Sequence, residues 1–275
     1  MRSVRAPTNR NGGGADARYL ALPRRVEIAT LVVVLVVSAA AWLGTIRDAD
    51  SMQGMAMGLG QVGTRVVGSM GAALFLAMWV TMMTAMMLPA VAPVVLAHLA
   101  ISRRRGDGIA PTLAFVAGYL AVWSAIGIVP LTAFTAFAHF DAHAASPRWL
   151  STLAAAILLI AGAYQFTPWK RRCLEHCQSP FAFVARHDFQ RGARGALRAG
   201  IVYGAYCLGC CWALMLVLLA VGMMNVAWMA LLFVLIYVEK TWRHGLALAH
   251  IAGGALIALA MAIVVYPALL ELVSR

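Results

Sequence analysis

Charged residues are scarce in this sequence, and their scarcity excludes most classes of protein. Only 12% of the 275 residues are Asp, Glu, Lys or Arg, whereas soluble domains carry roughly 25%. The chain is 63% hydrophobic with a mean hydropathy of +0.82. A soluble protein of this size has too little interior to bury so many apolar side chains. Soluble, disordered, collagen-like and disulfide-scaffold proteins are excluded, and the composition predicts an integral membrane protein in contact with lipid.

Lysine is rarer still, and the sequence motifs of common enzymes are missing. Lys170 and Lys240 are the only lysines among 22 basic residues. There is no Walker loop, nucleophile elbow, H-E-x-x-H motif or dinucleotide fingerprint. The net charge of +12 is typical of nucleic-acid binding, but here the basic residues lie between apolar runs, where the positive-inside rule places them. We predict no nucleic-acid partner, and we favour a role in binding or transport over catalysis.

The uncharged runs predict an all-α polytopic transmembrane helix bundle of about seven spans, each of about 20 residues. Between Arg198 and Glu239 lie 40 uncharged residues, which would form a helix about 60 Å long, twice the thickness of a bilayer. This run must therefore fold back, and Gly222-Met223-Met224-Asn225 is the natural turn. We place the membrane domain at residues 26–275 and expect a disordered cytosolic tail at residues 1–25.

The distribution of basic residues predicts the orientation of the chain. With the N-terminus in the cytosol, 18 Lys and Arg residues fall inside and four fall outside, as the positive-inside rule requires. The same arrangement puts the C-terminus outside. It also makes residues 167–198 a cytoplasmic loop that contains cysteine.

Soft metal ligands are concentrated in the apolar runs. In the predicted second span, Met82 and Met86 share one helix face, and Met83 and Met87 form a second pair beside it. In the predicted fifth span, Cys207 and Cys211 lie one turn apart, with Cys210 adjacent. Cys207 is nine residues beyond Arg198, roughly 13 Å along the helix and near the middle of a bilayer. Thiolates and thioethers select Cu(I).

Further candidate ligands lie outside the predicted spans. Cys173, His176 and Cys177 offer two thiols and an imidazole within five residues of the cytoplasmic loop. Met52, Met55 and Met57 lie in a glycine-rich outer loop. Sulfur ligands are thus predicted outside, near the midplane and inside, an arrangement that suits the movement of a soft cation across hydrocarbon.

Several of these motifs, taken in order, resemble a known family. The resemblance covers roughly residues 70–250. It rests on Met82-Met83 through Ala85-Met86-Met87-Leu88-Pro89, Tyr164-Gln165 to Lys170, Cys173 to Cys177, Gly204 to Trp212 with Leu214-Met215, Gly222 with Met224-Asn225, and Glu239-Lys240. The sequence resembles the bacterial predicted metal-binding integral membrane proteins, a domain of unknown function sometimes labelled copper chaperone. The resemblance implies a metal-binding role in the bacterial inner (plasma) membrane.

Three functions remain open. The preferred hypothesis is a membrane protein that handles a soft metal, Cu(I), as a transporter or as a membrane-bound donor to a copper enzyme or a soluble metallochaperone. The alternative is a membrane thiol–disulfide oxidoreductase, because Cys207-x-x-Cys210 has the spacing of such enzymes. The third is a scaffold in which the sulfur residues only pack.

The preferred hypothesis makes a geometric prediction. The second and fifth spans should approach closely at Gly204 and Gly209, because small residues let membrane helices come together. Met83, Met86 or Met87 would then face Cys207 or Cys211 across one interface. A mixed site of this kind would favour Cu(I) over Zn(II), for which a thioether is a poor ligand.

Overall fold

The computed structural model is built from α-helices. It describes residues 23–51, 71–139, 147–179, 183, 192–222 and 225–274, and within these ranges no strand occurs. In chain order the helices are α1 (Arg24–Ser51), α2 (Ala72–Arg104), α3 (Ala110–Ile126), α4 (Ile128–His139), α5 (Pro147–Tyr164), α6 (Pro168–Gln178), α7 (Ala193–Val221), α8 (Val226–Thr241), α9 (Gly245–Val265) and α10 (Ala268–Ser274). The predicted all-α class is confirmed. Nearly all of the predicted tail, together with Met52, Met55 and Met57, lies outside the described residues.

Five helical segments are long and apolar enough to cross a membrane. They are Arg24–Ala49, Ala72–Arg104, Ala110–Ala133, Ala193–Val221 and Gly245–Val265. A sixth crossing is formed if Trp149–Tyr164 and Pro168–Gln178, which meet at a bend of 64°, are one broken span. The predicted sixth span is α8, whose 16 residues fall short of the usual 20. The protein is thus a polytopic membrane protein, and about seven spans is roughly consistent with these helices.

The predicted turn between the fifth and sixth spans is present. Helix α7 ends at Val221, and Gly222 follows with a φ of 118°, a left-handed conformation that glycine adopts at little cost. Asn225 then caps α8 by accepting a hydrogen bond from the Trp228 backbone N–H at 3.1 Å, as a helix N-cap should. Helices α7 and α8 are therefore joined by a short connection.

The predicted cytoplasmic loop at residues 167–198 is in part a helix. Thr167 caps α6, its hydroxyl accepting from the Lys170 N–H at 3.3 Å, and Pro168 occupies the first turn, a position that proline favours. The interpretation of this segment as a loop was wrong for residues 168–178. Helix α6 packs against α7 and α8, which brings Cys177 into the interior.

Helix α7 packs most extensively on α3 rather than on α2. Gly200 lies against the Phe115 backbone carbonyl, and a Cβ on Gly204 would come within 3.0 Å of Val122. Small residues therefore do allow close helix approach here. The partner helix in the prediction was nevertheless wrong, because the close contact of the fifth span is with the third span and not with the second.

Candidate metal site

Two cysteine sulfurs from different helices meet in the interior. Cys177 Sγ of α6 and Cys210 Sγ of α7 lie 3.7 Å apart, and both residues are buried. Because a metal–thiolate bond is about 2.3 Å long, two thiolates on one ion stand roughly 4 to 4.6 Å apart. A small movement would place one metal ion between these two sulfurs.

Cys207 lies one turn before Cys210, and its sulfur contacts two polar side chains. Lys240 Nζ donates to Cys207 Sγ at 3.0 Å, and the Tyr119 hydroxyl lies 3.1 Å from the same sulfur. The ammonium also contacts Met87 Sδ at 4.0 Å. Lys240 therefore joins a thioether of α2 to a thiol of α7. We call Cys177, Cys207, Cys210 and Met87 the sulfur cluster.

A buried ion pair borders the sulfur cluster. Lys170 Nζ lies 2.6 Å from Glu239 Oε2, and the two side chains are 0% and 2% exposed. The same ammonium donates to the Cys210 carbonyl at 2.6 Å. A third contact runs from Gln178 Nε2 to the Glu239 carbonyl at 2.7 Å. These bonds tie α6 to both α7 and α8, and they fix the distance between Cys177 and Cys210.

The other predicted cysteine ligands lie beside the sulfur cluster. Cys173 is half-buried, one turn before Cys177, and its sulfur lies where a Cβ on Gly209 would be. Cys211 is buried, and its thiol donates to the Cys207 carbonyl at 2.9 Å. All five cysteines are free thiols.

The predicted imidazole ligand lies further out. His176 is half-buried, its ring stacks on Tyr206 with centroids 4.3 Å apart, and its Nδ1 contacts the Arg172 carbonyl at 2.7 Å. This stacking holds the ring at the outer side of α6, away from the cysteine sulfurs. His176 thus has a packing role in the structure that the sequence did not suggest.

The methionine cluster of α2 is part of the core. Met82, Met83, Met86 and Met87 are all at most 2% exposed. Among them the structure brings Met87 to the cysteines, through Lys240. The close approach expected between the second and fifth spans at Gly204 and Gly209 is made with other helices, because Gly204 faces α3 and Gly209 faces Cys173 of α6. Lys240 and Tyr119 each contact both Met87 and Cys207, and the Tyr119 hydroxyl donates to the Met87 carbonyl at 3.3 Å.

Sequence reasoning missed the polar residues around the sulfur cluster. Glu239 and Lys240 follow a long uncharged run, and charged residues in that position usually lie at the membrane interface, yet both residues are buried. The missed signal was lysine usage, since a chain that uses arginine at nearly every basic position has its two lysines here. A lysine ammonium has three donors to satisfy in the interior, against five for a guanidinium. Nothing in the sequence pattern distinguishes Tyr119 from the other tyrosines.

The donor set suits a soft ion of low coordination number. In the part of the chain that the structure describes, no group of three or more His, Cys, Asp or Glu side chains could hold a metal ion. Structural zinc sites need four such ligands. A pair of thiols with a nearby thioether instead matches Cu(I), which favours sulfur and accepts two or three ligands.

A protein-family model matches most of the chain. The family PpoB2, described as a copper chaperone, matches residues 76–263. That range is more than half of the chain and contains every residue of the sulfur cluster. This chain belongs to that family. Neither a curated protein nor a solved structure matches it. Membership of a copper chaperone family agrees with the resemblance noted in the sequence, and it suggests that copper is the metal involved.

Proposed function

We propose that the protein is a membrane-bound Cu(I) donor that holds the ion between Cys177 and Cys210. The observation that carries this proposal is the 3.7 Å approach of two buried sulfurs from separate helices. Cys207 interacts with both members of this pair, and it shares the Lys240 ammonium with Met87. We assign a third ligand position to Cys207 and a neighbouring position to Met87. The metal is cargo, received at the sulfur cluster and passed to a copper enzyme or a soluble metallochaperone.

The route to the cluster is proposed to start at Cys173. This thiol is half-buried, whereas Cys177 one turn later is buried. An ion that binds first at Cys173 can pass to Cys177 by exchange of one sulfur ligand for another, without entering hydrocarbon as a bare cation. On the orientation predicted from charge, with the protein in the bacterial inner membrane and the N-terminus in the cytosol, this entrance faces the cytoplasm.

The oxidoreductase alternative receives less support from the geometry. Its motif pairs Cys207 with Cys210, but the Cys210 sulfur lies against Cys177 and its thiol donates to the Cys207 carbonyl at 3.1 Å. Cys207 also contacts Lys240 and Tyr119, and Cys210 interacts with Cys177 as well as with Cys207. The thiols in contact therefore form a group that extends onto α6, and the Cys-x-x-Cys pair is only part of it.

Metal analysis tests the proposed function. Purified protein, loaded anaerobically and washed with a chelator, is expected to retain about one Cu(I) per chain and little Zn(II), because its donors are soft and few. Elemental analysis of the washed protein gives both values. The proposal would be contradicted if the washed protein retained zinc in place of copper, or if the folded protein retained no metal at all.

A further inference from the structure

The charges around the sulfur cluster do not cancel. Lys170, Glu239 and Lys240 are all buried, which gives two cations and one anion. Glu239 points its Oε2 at Lys170. Within the described ranges, Lys240 has no carboxylate at ion-pair distance, and its ammonium contacts Cys207 Sγ and Met87 Sδ. A buried charge without a counter-ion is costly, above all inside a membrane.

The groups that face this ammonium from neighbouring helices are sulfur and hydroxyl groups. Cys207, Cys210, Cys211 and Tyr119 all interact with it electrostatically. The thiols of Cys210 and Cys211 donate to the Cys207 carbonyl, while the Cys207 sulfur accepts from Lys240. The Glu239 carboxylate also interacts with Lys240 electrostatically but is paired directly with Lys170. The further negative charge that balances Lys240 would come from the sulfur atoms and whatever they bind.

The charge of a metal–thiolate complex depends on the ion. Two thiolates on a monovalent ion carry a net charge of −1, which an adjacent ammonium neutralises. The same two thiolates on a divalent ion are neutral, so that the ammonium would remain without a counter-charge. Lys240 Nζ lies 3.0 Å from Cys207 Sγ and interacts electrostatically with Cys210, one of the two thiols of the proposed site. In a medium of low dielectric this difference is therefore large.

We propose that Lys240 is the fixed counter-charge that makes the sulfur cluster select a monovalent over a divalent soft ion. This inference rests on the proposed function, and it adds the residue that selects the bound ion by its charge. Lys240 acts as a positioning residue, through the charge of the complex and not as a ligand. Softness of the ligands alone would not separate Cu(I) from soft divalent ions such as Cd(II), whereas the ammonium does.

The test removes the charge without adding a soft ligand to the cluster. Lys240→Leu is neutral and apolar, Lys240→Gln is neutral but keeps a hydrogen-bond donor toward Cys207, and Lys240→Arg keeps the charge. Affinities for Ag(I), a monovalent soft ion stable in air, and for Cd(II) are measured by competition on the full chain in detergent. We expect both neutral variants to bind Ag(I) about tenfold or more weakly, with unchanged or stronger Cd(II) binding, and Lys240→Arg to keep the preference for Ag(I).

The possible outcomes separate the inference from the proposed function. Weak binding of both Ag(I) and Cu(I) by the wild-type protein would contradict the proposed function itself. Tight wild-type binding with no change of the Ag(I)/Cd(II) ratio in folded Lys240→Leu or Lys240→Gln would overturn only the role of Lys240. An equal loss of both ions would also overturn it, because it would indicate a packing effect. If Lys240→Leu does not fold, Lys240→Gln carries the test.

Discussion

Replacing Cys177 by serine is expected to abolish high-affinity Cu(I) binding. The hydroxyl is a hard, neutral donor, so the ion loses one of its two thiolates. Changes to residues that merely support a metal ligand already cost about 10 to 100-fold in affinity, and loss of the ligand itself should exceed 100-fold. Competition with a Cu(I)-specific chelator under anaerobic conditions measures the affinity.

Cys173→Ser is the matched control for this variant. Cys173 lies on the same helix, one turn earlier, and its sulfur faces Gly209. Removing this thiol should slow loading of the protein but leave the equilibrium affinity within about threefold of the wild type, since changes that break no contact of a ligand have small effects. If Cys173→Ser lost as much affinity as Cys177→Ser, the site would lie at the outer end of α6.

Glu239→Gln is expected to destabilise the protein strongly. It would leave the Lys170 ammonium, 0% exposed, without a counter-charge, and breaking a buried ion pair in this way costs about 3–5 kcal/mol. The free energy of unfolding is measured in a denaturing detergent, with the loss of helicity as the signal. Metal binding should fall with it, because the pair ties α6 to α8 and so holds Cys177 beside Cys210.

An exposed ion pair in the same chain provides the control for this prediction. Arg171 and Glu175 lie 3.7 Å apart, and their side chains are 58% and 64% exposed. Glu175→Gln should change the free energy of unfolding by less than about 0.5 kcal/mol. The double variant Lys170→Met with Glu239→Leu should recover most of the stability, because no buried charge remains. Equal behaviour of Glu239→Gln and Glu175→Gln would contradict the structural role of the buried pair.

The sequence was sufficient to predict the fold class and where the chain turns back. Long uncharged runs must be helical in a bilayer, because every backbone polar group needs an internal partner, and Gly222 and Asn225 supply the conformations that end α7 and start α8. The placement of Cys207 and Cys211 one turn apart, with Cys210 adjacent, also followed from helix periodicity.

The pairing of Cys210 with Cys177 could not be predicted in the same way. It depends on a segment that is basic and polar in sequence, and hydropathy assigns such a segment to a loop. The segment nevertheless enters the interior as α6, because Lys170 finds a carboxylate in Glu239 and a carbonyl in Cys210. A hydropathy value is assigned to each residue separately. It therefore cannot show that two charged residues 69 positions apart neutralise each other.

Copper K-edge X-ray absorption on the Cu(I)-loaded protein tests the central claim most directly, since it reports the atoms bound to the metal. The account predicts a first shell of two or three sulfur atoms in the wild type, with one sulfur lost or the copper absent in Cys177→Ser and in Cys210→Ser. Nitrogen or oxygen in the first shell of the wild type, or a spectrum that both variants leave unchanged, would contradict a Cu(I) site between α6 and α7.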